Sequence, residues 1–186
     1  MINLVQRNVP ISNASNTFMV RPQNTAVTAP NTARSTREQG VSMLDPSALK
    51  SISVRVPDGG WISASVTKHE NHSERNPLFI VRGTDINGDR FEAVVNINDV
   101  NPRSASFVEM VALDGHFVTQ GRPVGAARSA IGALGAGAGV YNVFTVFDFL
   151  PPLEEMMIFH RSNRNPSGFA HYRNVINTLM GHIARR

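Results

Sequence analysis

Two stretches in the middle of the chain alternate apolar and polar residues on either side of turn residues, and this constrains the fold more than anything else in the sequence. "SISVRV" (51–56) and "WISASVTK" (61–68) flank "PDGG", with Trp61, Ser63 and Ser65 on one face of the second stretch and Ile62, Ala64 and Val66 on the other. Side chains of a strand point alternately to opposite faces, so a period of two interrupted by Asp-Gly predicts a β-hairpin. After the polar loop "HENHSERNP", the arrangement recurs as "LFIVRGTD", the turn "INGD" and "RFEAVVNIND". Asn87 and Gly88 predict a type I′ turn with both central residues at positive φ. The alternating acids of "DINGD" also suit calcium, but strands flank them where an EF-hand has helices. Four strands joined by short connections predict an antiparallel sheet with one apolar and one solvated face.

The period then lengthens from two to about 3.6. In "NPRSASFVEMVALDGHFVTQG", Phe107, Met110, Val111, Leu113, Phe117 and Val118 recur at helical intervals, and Ser106 with Glu109 has capping-box spacing. Gly121 is placed for a left-handed stop, with Pro123 beyond it. Gly115 lies inside this helix at a cost of ~1 kcal/mol relative to Ala. The helix is expected to cover the apolar face of the sheet, which makes the fold class α+β.

Beyond residue 122 the sequence is less regular. "GALGAGAG" reads as a hinge or close-packing segment, "VYNVFTVFDF" as a buried strand apolar on both faces, and "LPPLEE" as a stop followed by a helix start. Helices are expected over 153–160 and about 168–184, the latter with Phe169, Tyr172, Val175, Ile176, Leu179 and Ile183 on one face. Residues 1–44 are rich in Ser, Thr, Asn and Pro and lack apolar periodicity, so they are expected to form a disordered tail. The resulting division is a tail over 1–44, an α+β core over 45–122, and a C-terminal part over 123–186 that packs on the core or on a partner.

Composition narrows the chemistry. The chain has no cysteine, which rules out disulfides, thiolate zinc sites and a cysteine nucleophile. Its first twenty residues hold no apolar run of the ~7–15 residues a signal peptide needs. A cytoplasmic location or export without a classical signal peptide is therefore expected. Of 18 basic residues only Lys50 and Lys68 are lysines, a bias that suits phosphate contact, although the arginines are scattered and the net charge is only +4. Nucleic-acid binding is thus a weaker alternative.

No catalytic motif emerges. A Ser-His spacing, paired carboxylates in an apolar setting and a Walker lysine are missing, and "GALGAGAG" does not follow a strand as a dinucleotide loop would. No cofactor is expected, and an enzyme is the less favoured class. The loop "HENHSE" offers His69 and His72 as metal ligands, set against the plainer reading of a polar connection. Residues 129–147 are uncharged for 19 positions, close to the ~20 of a membrane span, but Gly and Asn142 dilute them.

The expectation for function is a non-enzymatic binding or assembly protein that presents an apolar C-terminal surface to a protein partner or to another copy. Val143, Phe144, Phe147, Phe149, Met156, Phe159 and Tyr172 are the candidate interaction residues. The alternative is an effector or structural subunit exported by a type III-like apparatus, suggested by the composition of the N-terminal segment.

Overall fold

The two expected hairpins form one meander. Strands β1 (Lys50–Arg55), β2 (Trp61–Lys68), β3 (Leu78–Thr84) and β4 (Arg90–Asn96) lie in the antiparallel order β1-β2-β3-β4 in this computed structural model, which describes residues 47–55, 60–122, 124–134 and 142–185. The expected tail over 1–44 and most of "PDGG" and of "GALGAGAG" lie outside the described residues. Ile52 pairs with Ala64 and Val66 with Val81, which aligns the apolar positions across the strands. Ile52, Ile62, Ala64, Val66, Phe79, Val81 and Val95 are all buried on one face, while Trp61, Arg82, Arg90 and Glu92 are exposed on the other.

The β3–β4 turn departs from the type I′ expectation. Gly88 has φ 82, but Asn87 stays at negative φ. The carboxylate of Asp85 explains why: its Oδ1 accepts from the N–H groups of Asn87 and Asp89, both at 2.9 Å. Those bonds satisfy the turn's amides with only one left-handed residue, so Gly88 alone needs glycine's freedom. The acids of "DINGD" thus include one that serves the turn itself.

Helix α1 (Phe107–Thr119) starts and stops as its sequence implies. Ser106 Oγ accepts from the Glu109 N–H at 3.3 Å, and Glu109 Oε2 accepts from the Ser106 N–H at 2.7 Å, closing the capping box. At the other end Gly121 takes φ 70, the Arg122 N–H donates to the Phe117 carbonyl and the Gly121 N–H to that of Val118. This is the Schellman pattern. Phe107, Met110, Val111, Leu113 and Phe117 are buried in the core shared with the sheet.

Gly115 is where α1 comes closest to the sheet. A Cβ there would lie 2.7 Å from Val66 Cγ1 and 2.9 Å from Cγ2. Its cost to the helix is therefore offset by an approach that no other residue permits, against a β-branched neighbour that cannot rotate away.

One residue further back, Asp114 is a charged side chain only 1 % exposed. Its Oδ1 accepts from the Ala126 N–H at 2.7 Å, and its Oδ2 accepts from the Ala127 N–H at 3.1 Å and from Lys50 Nζ at 3.0 Å. Ala126 and Ala127 open helix α2 (Ala126–Leu134), so an aspartate on one helix caps the next. Lys50 supplies the counter-charge from a core-face position at the sheet's edge, directly across from Val66.

The C-terminal part corrects one expectation. Among the described residues of "VYNVFTVFDF", 142–149, there is no long buried strand: only Val146–Phe147 pairs as strand β6, opposite Ala105–Ser106, strand β5. Asn142 breaks the run, because its Oδ1 accepts from the Phe144 N–H at 2.8 Å and its carbonyl from the Thr145 N–H at 3.0 Å. Such an Asx turn competes with extended pairing.

Helix α3 (Leu150–Ser162) begins earlier than expected, with Pro151 and Pro152 in its first turn, where an N–H would have no helical partner. Helix α4 (Pro166–Ile183) is capped by Asn165, whose side chain accepts from the Gly168 N–H at 2.9 Å. Val143, Phe149, Leu150, Leu153, Val175, Ile176 and Leu179 all enter the same core as the sheet and α1. Among the described residues no helix is long and apolar enough to cross a membrane.

Two stability measurements follow. Gly115→Ala should lower unfolding free energy by about 1–2 kcal/mol despite the better helix propensity, as overpacking does, and Val66→Ala in the same chain should recover part of that loss. Asp114→Ala should cost about 3 kcal/mol, because it strands two amide donors and a lysine, whereas Lys50→Met should cost less than half as much. Urea titration of the four variants reads both.

Candidate functional site

The candidate metal loop is knit together by its own hydrogen bonds. His69 Nδ1 accepts from the Asn71 N–H at 3.1 Å, and His72 Nδ1 lies 2.9 Å from the Leu78 carbonyl. The His72 ring packs edge-on against Phe79, centroids 4.8 Å apart. Both histidines therefore close the β2–β3 connection. Among the described residues no three metal-ligating side chains gather at one point.

The candidate interaction residues separate into two groups. Val143 and Phe149 are fully buried in the chain's own core, so neither can meet a partner. Phe147 is half-buried against Phe149, and Tyr172 is half-buried with its ring stacked on His160. Phe144 is 45 % exposed and covers Phe91 edge-on. Phe159 is 56 % exposed on α3, and its neighbour Ile158, which sequence reasoning passed over, is 58 % exposed; Met156 is half-buried. Leu150 and Leu153 are the only fully buried residues of α3. The second half of that helix thus carries large apolar side chains into solvent.

A second feature was not expected from the sequence. A cleft of about 580 Å³ lies where the β2–β3 loop, the 3-10 turn Ile97–Asp99, and the C-terminal ends of α1 and α4 meet. His116, Arg122, His182 and Arg185 line it, with Glu74 as its carboxylate. Their positions follow from local rules, since basic residues belong near helix C-termini and both helices end here.

His116 is the best-defined group in this cleft. Gln120 Nε2 lies 2.7 Å from His116 Nε2, and Arg122 hydrogen-bonds the Gln120 side-chain oxygen. The arginine therefore orients the amide so that its NH2 faces the imidazole, which makes Nε2 an acceptor and leaves the neutral ring's proton on Nδ1. That Nδ1 is shielded from solvent and has no hydrogen-bond partner among the described residues. Burial, then the charges of His182, His72, Arg122 and Arg185, lower the pKa of His116 from 6.5 to about 4. His182 is anchored separately, with Nε2 2.9 Å from the Val100 carbonyl.

Nothing in either place has the geometry of a nucleophile with its base: among the described residues the serine–histidine hydrogen bond is Ser129 to His171, 2.8 Å, which ties α2 to α4. Compared with protein families, with characterised proteins and with solved structures, the chain matches none.

The depressed pKa has a stability consequence. Because the unfolded histidine binds a proton near pH 6.5 and the folded one only near 4, stability is fully present above 6.5 and is lost as pH falls toward 4. Melting temperature should therefore drop across that window by more in the native chain than in His116→Gln. Equal slopes would contradict this assignment.

Proposed function

We propose that this protein is a non-enzymatic assembly module that pairs with a second copy of itself through α3. The observation that carries this reading is the exposure of Ile158 and Phe159, adjacent on one helix and flanked by opposite charges. Large apolar side chains scattered singly on a surface need no explanation, but two exposed neighbours on one helix form a patch.

The charges favour a second copy over another partner. If two α3 helices meet antiparallel about a twofold axis beside Ile158, a residue three positions before it faces the residue three positions after it in the other copy. Those residues are Glu155 and Arg161, so the axis creates the same complementary pair twice. Such rim pairs set orientation more than affinity, each worth about 0.2–1 kcal/mol. A single helix pair of this length buries less than the ~1,600 Å² of a standard interface, so the association should be weak and concentration-dependent.

Sedimentation of the full chain over a wide concentration range tests this. A monomer–dimer equilibrium is expected, weakened at least tenfold by Ile158→Glu or Phe159→Glu with no loss of melting temperature. Glu155→Arg should weaken it as well, and adding Arg161→Glu should restore it. A strict monomer at every concentration, or a dimer indifferent to these substitutions, overturns the reading.

A further inference from the structure

The cleft between the ends of α1 and α4 has more positive lining than the fold consumes. A helix C-terminus carries roughly half a negative charge, which accounts for some attraction of basic groups to this spot. Against that stand Arg122 and Arg185, beside His182 and the neutral His116, with Glu74 as the single lining carboxylate. The ion pairs among the described residues are Lys50–Asp114, Arg82–Glu92 and Arg103–Asp148, so neither Arg122 nor Arg185 is neutralised by an acid there. Arg122 instead holds the neutral amide of Gln120.

The rest of the lining is not that of a simple ion trap. Phe117 and Ile97 are buried behind the lining, so Ile183 supplies the accessible apolar surface, and Asn98, Asn101 and Thr178 supply hydrogen-bonding groups. A volume of about 580 Å³ falls within the ~300–1,000 Å³ typical of small-molecule sites, well beyond what a bare ion fills. Guanidinium groups present a planar fork of donors that matches phosphate oxygens, and they stay charged at any physiological pH.

We propose that this cleft binds a small organic phosphate, its phosphoryl oxygens taken by Arg122 and Arg185 and its organic part laid against Ile183, within reach of the Asn98 and Asn101 amides. Burial is the main reason protonation of His116 is suppressed, and the positive charges of His182, His72, Arg122 and Arg185 add to it. A bound phosphate reverses that field, so His116 takes up a proton more readily when the cleft is filled. The site is made by α1, α4 and the loops beside them, and it does not depend on self-association through α3.

Imidazole NMR of the full chain, with His116 and His182 assigned through single His→Gln variants, provides the test. The probes are adenosine 5′-monophosphate, ribose 5-phosphate, inorganic phosphate and adenosine, each titrated at low ionic strength. At least one of the two organic phosphates should shift both resonances saturably and raise the titration midpoint of His116. Inorganic phosphate should bind at least tenfold more weakly, and adenosine should have no effect. Arg122→Gln and Arg185→Gln should each weaken binding at least tenfold, while Arg82→Gln, on the far face of the sheet, should not. Three results overturn the proposal: no saturable shift at millimolar ligand, inorganic phosphate binding as well as the organic phosphates, or affinity unchanged in both cleft variants.

Discussion

A carboxylate buried between two helices and a strand holds the two halves of this fold in register. Asp114 reaches from the middle of α1 to the first amides of α2, while Lys50 comes in from the edge of the sheet. An isolated buried charge costs several kcal/mol, and only a full set of hydrogen bonds with a counter-charge makes it tolerable. Here the set consists of two helix N-terminal amides and one ammonium, and the partial positive charge of the α2 N-terminus adds to it. Because the carboxylate and its partners come from three elements, moving any one of them removes part of what compensates the buried charge. The arrangement thus specifies where α2 starts, and α2 in turn supports α3 and α4, for example through Ser129 and His171.

The same neighbourhood sets how near α1 can come to the sheet. Gly115, next to Asp114, lets the helix backbone press on Val66, and Val66 lies across from Lys50. Close packing and charge burial therefore reinforce each other within one turn of helix. Glycine weakens α1 when judged by propensity alone, and the packing shows why the helix keeps it.

What could be read from the sequence was what depends on neighbours in sequence. Alternation marked four strands and their buried faces, Ser106 with Glu109 marked the start of α1, and Gly121 marked its end. Failures came where a side chain overrode a local preference. The carboxylate of Asp85 replaced one of the two left-handed residues expected in the β3–β4 turn, and Asn142 folded an apolar run into a turn that only briefly pairs. Contacts between distant segments left no periodic signal at all: nothing in the spacing of Lys50, Asp114 and Ala126 announces their meeting. The cleft was hidden for the same reason, since His116 and Arg122 at the end of α1 meet Arg185 at the end of α4 and each, taken alone, is an ordinary helix-end residue. The exposed patch was half visible, with Phe159 recognised and Ile158 overlooked, and Val143 and Phe149 were better core residues than interface ones.

Helix α4 separates the two proposed functional surfaces. The exposed end of α3 leads into its first residues and the basic cleft surrounds its last, about 27 Å apart for 18 residues. The proposed assembly and ligand-binding surfaces thus lie at opposite ends of one element, and both proposals depend on that element being held against the core. The most direct test of the account is native-state hydrogen exchange at the amides of Ala126 and Ala127. If the Asp114 carboxylate binds both as described, they should exchange as slowly as the central amides of β2 and β3, through global unfolding. Exchange at the rate of an exposed loop would contradict the account, because the second half of the fold would then lack the interaction that anchors it.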